Sequence, residues 1–215
     1  MERSLKLSEK LFCLSVNPRK GGILWNAHSA LGMTLTGCIL IELMNQGLIS
    51  VSNKLVHMES PALQTDEIHE FYLSKMRQRS KDRKLQNWIS NFCLNRRKIQ
   101  KLFIRALKRK NVVRTEERRF LFIPYEKVFL MDRQLAETIR KEVEDAILGK
   151  GKPDENALAL AKMVWRTNLL PSVFPDRSRR REAVKILKAI PESEVTKAVF
   201  DAIRMAQAAT AAAVS

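Results

Sequence analysis

Residues Asn26 to Gly47 read NAHSALGMTLTGCILIELMNQG. The stretch is apolar along most of its length, so as a helix to about Gln46 it belongs at the centre of the fold, with other elements laid against it. Asn26 is a suitable N-cap, Gly32 and Gly37 allow close packing, and Gly47 suits the C-terminal stop. Its most apolar part, Leu35 to Leu43, is stopped by Glu42 and falls short of the roughly 18 residues a bilayer span requires.

Working outward, Leu5 to Val16 carries Leu7, Leu11, Phe12 and Leu14 at helical spacing behind the cap candidate Ser8, and Asn17-Pro18 ends it. Asn17 to Trp25 (NPRKGGILW) joins the turn residues Pro18, Gly21 and Gly22 to Arg19 and Lys20 and finishes on Ile23-Leu24-Trp25, which reads as a loop with an apolar tip. Gly47 to Met58 holds a weak hairpin signal around Ser52-Asn53. Asp66 to Arg79 and Leu85 to Leu94 read as amphipathic helices joined by the charged Arg77 to Lys84. Arg96 to Arg109 sets Ile99, Leu102, Phe103, Ala106 and Leu107 on one stripe and Arg97, Lys98, Lys101, Arg105 and Lys108 on the other. Val112-Val113, the polar Thr115-Glu116-Glu117 and Phe120 to Ile123 read as strand, turn, strand. Asp132 caps a helix to about Leu148, and Glu155 to Thr167, Asp176 to Ile190 and Glu192 to about Ala209 complete the set. The expected fold is mainly α: a single domain, 1–207, built around a central hydrophobic helix with amphipathic helices and one or two β-hairpins. The Ala-rich tail, 208–215, is expected to fray.

The chain has 215 residues, of which 45% are apolar, enough for a core in one globular unit. It carries 39 Lys and Arg against 23 Asp and Glu, a net charge of +16. From Lys75 to Arg119 there are 17 basic and three acidic residues, so this segment holds +14 of the excess. Solubility needs only net charge; a field gathered in one segment points to a polyanionic partner, either nucleic acid or an anionic membrane face. The N-terminal segment, with Glu9 and Lys10, lacks the apolar core of a secretory signal, and Cys13, Cys38 and Cys93 sit among apolar neighbours with no CxxC spacing. Buried reduced thiols and a cytoplasmic location are expected.

No catalytic or metal-binding pattern stands out. His28, His57 and His69 are scattered, without the spacing of a zinc site, and no phosphate-binding glycine loop or nucleophile elbow is present. The expectation is a non-enzymatic binding protein with no cofactor.

In order along the chain, LSEKLFCLSV, the Trp25-Asn26 pair opening the central stretch, GCILIELMNQGLI, NVVRTEERRFLFI and the Asp176 to Ile190 helix feeding the last helix resemble the Golgi phosphoprotein 3 family. The likeness runs from about Leu5 to Ala206 and is to a compact, prokaryotic-type member. It implies an α-helical domain around a central hydrophobic helix, a hairpin used in self-association, and a flat basic face that binds membranes containing phosphatidylinositol 4-phosphate. In eukaryotes such proteins are peripheral adaptors on the cytosolic face of the Golgi that retain glycosyltransferases, which implies a membrane-protein client. The eukaryotic basic N-terminal extension has no counterpart here, so coat-protein and Golgi-receptor functions are not expected.

Carried over by position, the resemblance assigns Trp25 to the headgroup pocket. It expects two cations one turn apart on the basic helix, where this chain has Arg97 and then Gln100, and an Arg before Gly37, where this chain has Thr36. Arg96 and Lys101 are neighbouring cations able to share the charge. Arg19, Lys20, Ile23 and Leu24 are the expected membrane-contact residues, and Phe120, Phe122 and Ile123 those of self-association, giving a homo-oligomer through the hairpin. The alternative is a winged-helix nucleic-acid binder using the basic segment 75–119, since a basic helix followed by a hairpin also reads that way. It is the weaker reading because Gln100 is the only amide on the exposed face able to read bases.

Overall fold

The computed structural model describes residues 4–59, 65–79, 81–149 and 154–212. The chain is mainly α-helical, with ten helices and two small antiparallel sheets among the described residues. Its residues gather into two compact units, one of residues 1–31 with 103–191 and the other of residues 32–102 with 192–215.

In the first unit, α1 (Leu7–Ser15) packs against α6 (Arg133–Leu148) and α7 (Glu155–Arg166), while α8 (Leu170–Val173) and α9 (Arg177–Ala189) pack on α6. The start of α1 is not capped by Ser8, which is buried within the helix. Lys6 is the cap residue, and its N–H donates to the Glu9 carboxylate at 3.0 Å. That carboxylate, almost fully enclosed, also takes the Lys110 ammonium at 2.7 Å, so a charge in the core has its counterion. Phe12 of α1 stacks on Phe103 with ring centroids 5.3 Å apart. Asp132, Asp154 and Asp176 cap α6, α7 and α9 through their side chains.

The second unit contains most of α2 (Leu31–Asn45), with every residue from 32 to 43 buried. The helix starts later than expected. Asn26 does not cap it: its side-chain amide donates to the Asn168 carbonyl in the first unit, and Trp25–Ala27 form a short 3-10 turn instead. At the far end Gly47 takes φ +66°, and the Leu48 N–H closes on the Leu43 carbonyl at 2.9 Å. Polar groups on an enclosed helix need partners. The Thr36 hydroxyl donates to the Gly32 carbonyl (2.9 Å) and lies 3.0 Å from the Tyr72 hydroxyl, which therefore donates to it. Glu42 meets His69 Nε2 at 2.7 Å, with both side chains buried. Tyr72 and His69 lie on α3 (Glu67–Arg77), which begins at the Asp66 cap. Tyr72 also meets Phe92 of α4 (Leu85–Cys93) at 4.2 Å, and Trp88 stacks on Phe92 at 5.5 Å. The final helix, α10 (Glu194–Ala212), packs on α4 and continues into the segment expected to fray; 213–215 lie outside the described residues.

The expected hairpin at 47–58 is present as β1 (Ile49–Ser52) and β2 (Leu55–Met58), with Asn53 and Lys54 at positive φ in the turn. A third strand, β3 (Arg83–Lys84), joins its edge from a segment read as a charged linker. The second hairpin differs from expectation. Thr115-Glu116-Glu117 are not its turn but the middle of β4 (Val113–Phe120), and β5 (Ile123–Leu130) returns in full register from Phe120↔Ile123 to Val113↔Leu130. The polar run alternates across a two-stranded ribbon: Arg114, Glu116 and Arg118 share one face and pair along it. The turn itself is the apolar Leu121-Phe122.

Burial sets the thiols apart. Cys13 is pushed up to about 12, chiefly by desolvation with the Glu9 charge adding, and Cys38 is also raised, chiefly by desolvation and then by Glu42. Cys93 is only half-buried; desolvation raises it too, and the Arg96 charge opposes that rise. Because folding raises the Cys13 value, its stability contribution is complete below the ordinary value of 9 and is lost as pH climbs from there towards about 12. A thiol reagent at mildly alkaline pH should label Cys93 first in the native protein and all three cysteines only after unfolding. Labelling of Cys13 or Cys38 at the Cys93 rate would contradict this core.

Candidate functional site

The Trp25 loop is built by backbone hydrogen bonds. Asn17 Oδ1 accepts from the Arg19 and Lys20 N–H groups at 3.0 and 2.8 Å, closing a turn that leaves both cations in solvent. The Gly22 N–H donates to the Val128 carbonyl of β5 at 2.6 Å, and the Leu24 N–H to the Ser15 carbonyl at 2.8 Å. Gly21, at φ +68°, lies so close to the Phe129 ring that a Cβ would sit 2.4 Å from it. The loop is thereby clamped between the end of α1 and the root of the second hairpin, all in the first unit. Ile23 pairs with Val16 and, like Leu24, is half-buried. Trp25 is 90% exposed, its ring 5.9 Å from that of His28. A clamped loop thus carries an exposed indole and, earlier along the same loop, two exposed cations.

The hairpin tip is also apolar and exposed: Leu121 at 76% and Phe122 at 96%. Both have positive φ (45° and 68°), a conformation normally filled by Asn-Gly and strained for branched or bulky side chains. Leu121 was not expected as a functional residue; its strain is visible only once the register is known. The side chains of Phe120 and Ile123 lie outside the described part of the structure.

In the second unit, α5 (Arg96–Arg109) begins with Arg96, Arg97 and Lys98 exposed and no acid in its first turn. Cations at a helix N-terminus oppose the macrodipole, and Arg97 and Lys101, four apart, repel each other. Neither Arg96, Arg97 nor Lys101 makes an ion pair among the described residues, whereas the Lys98 ammonium sits over the Phe71 ring at 5.0 Å. Gln100 is half-buried. Thr36 is fully enclosed, its hydroxyl already shared between Gly32 and Tyr72, so the position matched to a cation is a core position in this chain.

Ser52 Oγ lies 2.9 Å from His57 Nε2, and His57 Nδ1 2.7 Å from Asp82 Oδ2. This is the order of a serine hydrolase triad, but it lies on an open strand face and staples the β1–β2 turn to the segment before α4. Among the described residues no group of His, Cys, Asp or Glu is arranged to hold a metal ion, and no helix is long and apolar enough to cross a membrane.

On a mainly helical frame the surface carries an exposed aromatic, an exposed apolar turn and cations that make no ion pair among the described residues. The chain belongs to the Golgi phosphoprotein 3 (GPP34) family, whose model matches residues 7–206. That membership supports a lipid-binding or adaptor role in general, and the family is not a known enzyme family. No curated protein matches the chain.

The clamp on the loop is testable. Gly21→Ala should cost about 1–3 kcal/mol in chemical denaturation, because it combines a positive φ with a clash against Phe129. A neutral result would mean the loop is not held against β5.

Proposed function

We propose that this protein docks peripherally on the cytosolic face of anionic membranes, with Trp25 entering the interfacial layer and Arg97, aided by Arg96 and Lys101, engaging lipid phosphates. The observation that carries the reading is the 90% exposed indole on a clamped loop beside exposed Arg19 and Lys20. Trp favours the headgroup level, and each cation near an anionic leaflet adds about 1 kcal/mol. Phosphatidylinositol 4-phosphate is the proposed preferred headgroup, since a phosphomonoester suits the planar fork of Arg97. Ile23 and Leu24 would support the wedge from below rather than lead it. A membrane-protein client, held at the surface by this docking, is part of the same proposal.

Co-sedimentation with vesicles tests it. Wild type should bind vesicles containing phosphatidylinositol 4-phosphate more tightly than phosphatidylserine vesicles of equal charge, and neutral vesicles hardly at all. The Trp25 emission should shift to the blue on binding. Trp25→Ala and Arg97→Ala should each lower affinity about fivefold or more. Equal binding to all anionic vesicles would remove the phosphomonoester preference. Binding to duplex DNA with no binding to vesicles would replace the membrane reading with the nucleic-acid one.

The hairpin tip is proposed as the self-association element, with Phe122 at the contact and Phe120 and Ile123 beside it. Exposed Leu121 and Phe122 at positive φ are costly in a monomer, and burial against a second copy repays the exposure. Replacing Leu121-Phe122 by Asn-Gly should raise the stability of the monomer by about 0.5–1 kcal/mol while lowering the oligomeric state in sedimentation velocity. An unchanged oligomer would place the contact elsewhere.

A further inference from the structure

We infer that Leu94, at the turn between α4 and α5, is a second membrane-inserting residue, placed in the acyl boundary of an anionic bilayer by the cations that follow it. The inference rests on the membrane reading above and adds a residue and a division of labour to it.

Leu94 is 85% exposed, and nothing in the fold requires a leucine there. The buried stripe of α4 is Leu85, Trp88, Ile89 and Phe92, and the next core residue is Ile99 of α5. Leu94 falls between the two, off both stripes. The turn is nonetheless rigid: the Asn95 N–H donates to the Phe92 carbonyl at 2.8 Å, the Ile99 N–H to the Asn95 carbonyl at 3.0 Å, and the Asn95 amide to the Asn91 carbonyl at 3.3 Å. Beneath it, Gly32 of α2 leaves room for so close an approach that a Cβ there would meet Arg96 Cβ at 3.4 Å and Cys93 Sγ at 3.6 Å. A side chain on such a turn is presented in a fixed direction rather than left to collapse on the surface.

The neighbours decide the occupant. Arg96 and Arg97 follow within three residues of Leu94, exposed, without an ion pair among the described residues and without an acid in the first turn of α5. An isolated leucine beside unneutralised guanidinium groups gives little to a protein groove and nothing to a nucleic-acid backbone. It matches an anionic bilayer, where guanidinium groups sit among phosphates while a short aliphatic chain reaches the first methylenes.

The two contributions differ in salt dependence. With the full-length chain and phosphatidylcholine vesicles containing phosphatidylserine, across a salt series, Leu94→Ser should weaken binding about tenfold at every salt concentration with the slope unchanged. Arg97→Gln should make the slope shallower. In a Trp25→Phe background, Leu94→Trp should gain quenching by lipids brominated near the top of the acyl chains. Leu94→Ser binding like wild type, or Leu94→Trp emission untouched by brominated lipid, overturns the inference while the Trp25 and Arg97 losses leave the membrane reading standing. A wild type that binds no anionic vesicle overturns both.

Discussion

An apolar helix must be surrounded, and the few polar groups it carries must be answered from the elements that surround it. In the second unit α2 fixes α3 by two such contacts, Thr36 with Tyr72 and Glu42 with His69, six residues apart along the enclosed segment. An unanswered hydroxyl or carboxylate at either place would cost more than its hydrogen bond gains, so the pairs set the register of α3 on α2. Once α3 is placed, its aromatic residues Phe71 and Tyr72 receive Phe92, and α4 is placed in turn. Apart from the paired Glu42 and His69, the charged residues of these helices lie outside the buried core.

That exclusion explains where the excess charge of the segment from Lys75 to Arg119 is displayed. Several of its cations are locally neutralised: Arg77 by Glu70, whose carboxyl is held below the usual range chiefly by the hydrogen bond from Arg77, and Arg114 and Arg118 by Glu116 in the same way. These pairs are exposed and add little stability. The first turn of α5 has no such relief. A sequence under pressure only for stability would place an acid there, and this one places Arg96, Arg97 and Lys98.

Much of the fold was legible from periodicity. The limits of α5, the Asp132 cap of α6 and the Gly47 stop all follow from the sequence pattern. Misreadings arose where tertiary structure overrode local preference. Thr115-Glu116-Glu117 has the polarity of a turn, but cross-strand pairing out to Phe120↔Ile123 moved the turn onto Leu121-Phe122, against every turn preference. Asn26 has the chemistry of an N-cap and is used to bind the Asn168 carbonyl instead. Of the candidate site, Trp25, Arg96, Arg97 and Lys101 were readable as residue types in a basic context, and the structure leaves all four exposed. Leu94 ends the Leu85 to Leu94 stretch and no sequence pattern marks its exposure. Thr36 is assigned to the site by the resemblance alone, and its burial follows from its place in the apolar stretch that forms α2.

The exposed residues share one physical property: each is held by a rigid backbone in a position that costs stability. Trp25 sits on a loop that needs two left-handed glycines, Leu121 and Phe122 hold positive φ, and Leu94 stands on a turn pinned over Gly32. Flexible apolar residues would fold back on the surface and be lost for binding, so fixing them reduces the ordering cost at the moment of contact. Binding shared among a few small apolar contacts and a few screened charges stays reversible, because no single anchor approaches the free energy of a spanning helix. In the proposed docking, the charge sets how fast and where the protein meets an anionic surface, and the apolar tips set how long it stays.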